Sequence, residues 1–358
     1  MAAEPSAKDK AWVIFDRIVG DAAPNGVHSN PWTRLSDGSL RYEADYDTLV
    51  LLLGVPLYLD ADSRTGVPAL AMDVWLSYEL RRAGFDPDAV WPRPVHPRIL
   101  PAPAANLLKA LPFRERTQLN ARLVKSAAVA GVTSASANIL GKNYFKQVDV
   151  IMTDWATGPE LLISTKRMDS SYGKNAANRV EESYGDAKNL RLRHPLAALG
   201  FVLGLRSDIL HKEPDTAEWL VDLLSKLGRE DDAYHATCIV IIEYDDSVAV
   251  PGDSGEDPED PLVAAGLEPE PEVGVDLAGL PESDIDRALS LLPSVRLRED
   301  AMVDELSPNR FLASMVTQVL DVTPVNMHRQ ARERRRLAMA SDTGVRRAGL
   351  PSGAKHED

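Results

Sequence analysis

The hydrophobic and polar positions of this chain fall into runs, stripes and gaps that predict its elements. The sharpest signal is a pair of apolar runs, residues 147–152 and 160–166, separated by a turn-prone stretch over 154–159. Two such runs predict an antiparallel hairpin. Residues 236–244 are apolar and rich in Ile, the pattern of a buried strand. Residues 196–205 fit a buried strand or a short helix, and 46–59 a strand or the start of a buried helix, because short apolar runs do not separate the two. Helical spacing passes through Met72, Trp75, Leu76 and Leu80 over 69–83, and through Trp219, Leu220, Leu223, Leu224 and Leu227 over 216–227. Further helices are predicted over 105–111, 114–130, 175–193, 285–292 and 308–322, with a basic helix or tail at 327–336. Residues 91–103 are proline-rich, which predicts extended chain. Past residue 105 the order is helix, hairpin, helix, strand, helix, strand. That order predicts an α/β fold with a mixed central sheet covered by helices on both faces, plus N-terminal and C-terminal helical additions.

Composition divides the chain further. Its 358 residues are 44% hydrophobic and 26% charged, enough for a sizeable core. The expected regions are 1–105, an N-terminal region that could serve DNA recognition; 106–247, the core; 248–282, an acidic linker or loop; and 283–358, a helical region with a basic tail. The formal net charge of −14 argues at first sight against a polyanionic partner. Its distribution reverses that. Residues 245–286 hold fourteen Asp and Glu and no Lys or Arg, so the rest of the chain is balanced at 40 of each sign. Residues 113–212 carry fifteen Lys and Arg against nine Asp and Glu, a basic excess around the hairpin. Cys238 is the single cysteine, so an intrachain disulfide is excluded. The lack of an apolar signal core and of any 18-residue apolar run predicts a cytoplasmic protein with no membrane partner. Neither a Walker nor a GxGxxG motif is present, so no role for ATP is expected. His194 and His211 lack metal-ligand spacing.

The hairpin carries the candidate chemistry. Asp149 sits among Val and Ile on one run, and Lys166 ends the other. A charge in so apolar a strand is costly unless a partner or a metal offsets it. Alternation puts Glu160, Leu162, Ser164 and Lys166 on one face, with Ser164 roughly 6–7 Å from Lys166 and Glu160 about 20 Å away. Asp149 should fall opposite the Ser164 end. A carboxylate, a hard cation and a lysine form a set suited to phosphodiester hydrolysis, because Mg²⁺ binds through one or two carboxylates together with waters and substrate phosphate. The same two side chains could equally form a cross-strand ion pair in an inert domain.

Over residues 106–247 this arrangement resembles the PD-(D/E)XK nuclease superfamily, the restriction-endonuclease-like fold. Asp149 matches that family's metal-binding aspartate and Lys166 its lysine. Ser164 stands where the family has Asp or Glu. One restriction-enzyme subgroup is similar in having Ser-X-Lys and a glutamate displaced to the following helix. By that resemblance Glu181 is the displaced ligand and Glu182 its solvated alternative, since helical phase sets Glu181 at the edge of the apolar face. Ser164 would then hydrogen-bond within the metal's hydration shell. Glu115, on the preceding helix, is a further acidic candidate. Lys142, Lys146, Lys174 and Arg179 flank the site as candidate phosphate contacts. The resemblance implies a Mg²⁺-dependent endonuclease, with Mn²⁺ as a substitute ion, of type II-like restriction or defence function, acting on double-stranded DNA as a homodimer. The alternative is a nucleic-acid-binding or complex-forming protein of the same fold whose site has decayed.

Overall fold

The computed structural model describes residues 5–125, 137–230, 232–248 and 282–340. The elements begin with α1 (Ala7–Ala22), β1 (Trp32–Arg34), β2 (Leu40–Tyr42), α2 (Tyr46–Tyr58), α3 (Val67–Ala83) and β3 (Val90–Trp91). Next come α4 (Ala102–Ala110), α5 (Phe113–Lys125), β4 (Asn138–Leu140), β5 (Phe145–Gln147), β6 (Val150–Asp154), β7 (Gly158–Met168) and α6 (Tyr172–Arg191). The chain continues through β8 (Ala198–Arg206), α7 (Ile209–Lys212), α8 (Pro214–Leu227), β9 (Ala236–Tyr244), α9 (Glu282–Ser290), β10 (Val295–Leu297), α10 (Pro308–Val322) and α11 (Arg329–Ala340).

The central sheet has six strands in the order β10–β9–β8–β7–β6–β3. The expected hairpin is β6–β7, antiparallel with Val150 opposite Ile163. From β7 the chain crosses through α6 to β8, which is parallel to β7, and then through α8 to the parallel β9. The edge strands β3 and β10 are antiparallel to their neighbours. The fold is therefore mixed α/β. Its sheet takes β3 from before residue 106 and β10 from after residue 283, so it extends beyond the 106–247 span at both edges.

Every residue of β8 is buried, as expected of a central parallel strand covered on both faces. On one face α2, α3 and α10 bring Leu53, Met72, Leu76, Phe311 and Met315 onto Val150, Ile163 and Val202. On the other α6 and α8 bring Val180, Leu190, Leu220 and Leu224 onto Leu162, Phe201, Leu203 and Ile239. Two glycines of β8 admit these side chains closely. A Cβ at Gly200 would lie 2.7 Å from the Phe311 ring, and one at Gly204 2.9 Å from Met72 Sδ.

The ambiguous apolar run at 46–59 is helix α2, capped by the Asp45 side chain on Thr48 N. The run at 196–205 is strand β8. Helix α1 and the β1–β2 hairpin were not expected from the mixed pattern before residue 45. A capping box between Ser6 and Asp9 opens α1, and a stripe of Ala11, Ile14, Phe15 and Ile18 buries it. The basic stretch near the C-terminus is α11. Its arginines bind the fold itself: Arg332 donates to Leu320 O and Thr323 O, Arg334 to Ser29 O, and Arg335 lies 5.1 Å from the Trp32 ring centroid. The expected linker lies almost wholly outside the described residues, as do residues 126–130 of the predicted helix and the tail beyond 340. Among the described residues no helix is long and apolar enough to cross a membrane.

Candidate functional site

The site forms where β6 and β7 part. Strand β6 begins at Val150, paired with Ile163, so β7 loses that partner as it continues toward Met168. An unpaired strand edge leaves N–H groups to be satisfied. Asp149, in a bend just before β6, turns its carboxylate onto this edge, and Oδ2 accepts from Thr165 N at 2.7 Å. The expectation that Asp149 lies within the strand is thus corrected: it sits one residue before it. Its bond to the Thr165 main chain sets it one residue from Lys166 in the sequence.

Alternation along β7 divides the neighbouring side chains. Thr165 turns toward α3, and its hydroxyl donates to Asp73 Oδ1. Ser164 and Lys166 turn to the α6 face, Ser164 buried and Lys166 half-buried. Three stretches therefore converge on the open edge: the middle of α3, the bend at Asp149 and the second half of β7.

Asp73 is the residue that sequence reasoning missed. It is only 7% exposed, on a helix whose described side chains are buried almost all round. Burial holds its carboxyl well above the usual carboxylate range, and the charge of Asp149 adds to this; the Thr165 hydrogen bond, Lys8 and Lys166 oppose it. Asp73 and Asp149 are thus close enough to repel, with two lysines in electrostatic reach. A signal existed: a helix apolar on every side is buried, and an acid within it needs a partner.

The other candidates are placed differently. Glu181 and Glu182 are both exposed. The buried face of α6 runs through Ala176, Arg179, Val180, Ser183, Asp186 and Ala187, which corrects the expected phase of Glu181. Ser183 is buried and Tyr184 only half-buried, so the inward face turns away from position 181. The acid of α6 that does turn inward, Asp186, pairs with Lys146 at 2.8 Å and accepts from the Tyr144 hydroxyl. Arg179 is buried and lies 3.5 Å from Glu182. Lys142, in the β4–β5 turn, and Lys174, in the first turn of α6, are exposed. Glu115 is exposed on α5, which packs against α4 in a small satellite cluster. Glu160 is buried far up β7, one oxygen accepting from the Thr157 hydroxyl and the other 3.0 Å from His328 Nε2.

Among the described residues, no group of three or more His, Cys, Asp and Glu is arranged to hold a metal ion. What is assembled is a pair of carboxylates, two hydroxyls (Ser164 and Thr165) and Lys166. Hard oxygen donors of this kind suit Mg²⁺ or Mn²⁺, which retain waters and need only one or two carboxylates. The mutual repulsion of Asp73 and Asp149 is the feature that a divalent cation would relieve.

The chain matches no protein-family model, no curated protein and no solved structure. Any assignment of function therefore rests on its own residues.

Proposed function

We propose that this chain is a Mg²⁺-dependent endonuclease of the restriction-endonuclease-like fold, hydrolysing phosphodiester bonds in double-stranded DNA. The observation that carries the reading is the meeting of Asp73, Asp149 and the Thr165–Lys166 segment at the open edge of β7. The sheet supports it as well: α3 leads into three antiparallel strands (β3, β6, β7), with α4, α5 and the β4–β5 hairpin inserted between β3 and β6, followed by a crossover helix and the parallel β8. In this reading the second carboxylate comes from α3, through Asp73, and Glu181 is not needed.

Asp73 and Asp149 would hold the ion. When bound, Mg²⁺ polarises a water for attack and offsets charge developing on the phosphate. The chain's own groups fix the geometry. Thr165 N–H orients the Asp149 carboxylate, and the Thr165 hydroxyl orients Asp73. Lys166 would meet the phosphate as a point charge and stabilise the developing negative charge. Ser164, buried beside it on the same face, supplies a neutral hydroxyl. A C₂ dimer would bring two such sites to opposite strands of a palindromic target.

The second reading is a nucleic-acid-binding protein with an inert site. One observation favours it: Ser164 occupies the position at which a carboxylate would complete a three-acid set. Plasmid cleavage separates the two. With Mg²⁺ or Mn²⁺ the wild type should nick or linearise supercoiled DNA, EDTA should abolish this, and Asp149→Ala and Lys166→Ala should each reduce the rate by about 100-fold or more. DNA binding without cleavage in either metal would reject the nuclease reading in favour of the inert one.

A further inference from the structure

We infer that the cavity at the C-terminal end of β7, walled by Arg167, Tyr244 and Ser63, is an oxyanion site that receives one oxygen of a phosphate group. It uses none of the residues assigned to the metal.

Topology places it. Strands β7, β8 and β9 are parallel and end at Met168, Arg206 and Tyr244. The crevice beyond the carboxyl ends of parallel strands is where open α/β sheets take ligands. Alternation sends Arg167 to the same face as Thr165, the α3 face. A Cβ at Gly204 would meet Met72 of α3 and Arg167 Cγ together, which confirms that face. The end of α2 and the start of α3 close over it there. Leu57, Ser63 and Pro68 meet Arg167 and Tyr244 around ≈ 20 Å³ of space for the centre of a water-sized particle, partly open to solvent. Such a space admits one oxygen atom, with the rest of its group at the mouth.

The polar atoms give the chemistry. The Arg167 side chain is 3% exposed, and its Nε lies 2.9 Å from Asp169 Oδ2. The Tyr244 ring centroid stands 6.0 Å from Arg167 Cζ and 4.6 Å from Arg206 Cζ. Acid and ring together fix the orientation of the Arg167 guanidinium. Its Nη1 is buried and makes no hydrogen bond among the described residues, and the same is true of Ser63 Oγ. Buried donors left unmatched are costly. A guanidinium cannot accept, so what fits beside it is an acceptor. The carboxylates on the wall are already engaged, Asp169 by Arg167 and Asp62 by the main chain and guanidinium of Arg64. A charged donor and a hydroxyl therefore share one space, a set that a phosphate oxygen matches.

Two sources of that oxygen share this chemistry. A nucleic-acid backbone laid along the open edge of β7 would meet Arg167 roughly 6–7 Å beyond Thr165. That source rests on the nuclease reading above. Free phosphate does not depend on it.

The test sets a charge in the cavity of the full chain. Ser63→Asp and Ser63→Asn have the same shape, and only the first puts an anion against Arg167 Nη1. Fluorescence anisotropy in Ca²⁺ over a range of salt reads the binding of a short duplex, and urea midpoints with and without inorganic phosphate read the free anion. For the backbone source, Ser63→Asp should bind the duplex roughly three- to tenfold more weakly than Ser63→Asn, with a salt slope shallower by about one. For the free source, phosphate should raise the midpoints of wild type and Ser63→Asn beyond its effect on Ser63→Asp, with equal duplex binding in the two variants. Equal responses of both variants to both probes would assign the cavity to water alone and overturn the proposal. That result leaves wild-type plasmid cleavage, and so the nuclease reading, intact. A wild type that neither binds nor cuts DNA removes the nuclease reading and the backbone source, and the phosphate measurement then decides the cavity by itself.

Discussion

Asp73 gives the site its most distinctive electrostatics. Its raised pKa means that folding favours its protonated form, so stability falls as pH rises above the ordinary carboxylate range. Asp73→Asn removes that cost and can still accept the Thr165 hydroxyl. The variant should be more stable than wild type at pH 8 without metal, by about 1 kcal/mol or more, and the difference should vanish near pH 4. Urea denaturation at the two pH values measures this. Adding Mn²⁺ should stabilise the wild type and not the variant, because the variant lacks one of the two acids. On the proposed nuclease reading, Glu181→Ala should by contrast leave cleavage within about threefold of wild type, since Glu181 lies on the exposed side of α6. A loss of 100-fold there would return the ligand role to that helix. The two residues also mark what the sequence discloses at this scale. Asp149 and Lys166 were legible because a hairpin brings neighbours in sequence together. Asp73 was not, because it meets Thr165 at a separation of 92 positions, a distance that no local pattern encodes. Glu181, expected at the edge of the apolar face of α6, is exposed, because the buried face centres on Val180, Ser183 and Ala187.

At the scale of elements, the β4–β5 hairpin leads directly into Asp149, and its seating governs where that acid falls. Two side chains of α6 hold it: Asp186, through Lys146 and the Tyr144 hydroxyl, and the buried Asn189. Asn189 Oδ1 accepts from Asn143 N at 2.8 Å, and its Nδ2 donates to Tyr144 O at 3.1 Å. Gly141 fits closely over the same amide: a Cβ there would lie 2.1 Å from Asn189 Nδ2. Gly141→Ala should therefore cost about 1–3 kcal/mol, and Asn189→Ala, which strands hairpin N–H and C=O groups, about 2–3 kcal/mol. Hydrogen exchange over 138–147 should accelerate in both, and cleavage should fall with it. Unchanged protection would mean that something other than Asn189 anchors the hairpin. The sequence disclosed none of this seating, because three-residue strands carry too few positions to show alternation. Longer elements were readable: β7, β9, α8 and α10 follow from apolar runs or stripes that need no tertiary knowledge. The run that became α2 could not be resolved, since a helix buried on most sides and a buried strand have nearly the same composition.

At the scale of the whole molecule, the N-terminal and C-terminal segments close onto one another around α3, and this sets the response to acid. His28, between α1 and β1, packs 5.4 Å from the Tyr78 ring of α3. Its pKa is pushed down to about 4, first by burial and then by Arg81 of α3, Arg334 of α11 and Arg82. His235, at the entry to β9, is pushed down to about 4 by burial and by Arg191 of α6. A histidine kept neutral by folding contributes stability that is present above its unfolded pKa and is lost as pH falls toward the folded value. Between pH 6.5 and 4 the two should together remove roughly 2–4 kcal/mol, allowing for partial hydration of each. Asp73 and Glu79, both buried with raised pKa values, act in the opposite sense and favour the folded state as they gain protons. These four groups thus form two opposed pairs, and the lowered pKa values of His96, Asp45 and Asp88 add to the side of the histidines. His28→Gln should flatten the acid limb of the stability curve, and Asp73→Asn should steepen it. Urea midpoints at pH 7, 5.5 and 4.5 for the wild type and both variants read the two slopes independently. A wild type whose midpoint rises from pH 6.5 to 4.5 would show that the buried acids outweigh the histidines. An unchanged slope in His28→Gln would show that the clasp between the chain's two ends does not hold His28 neutral.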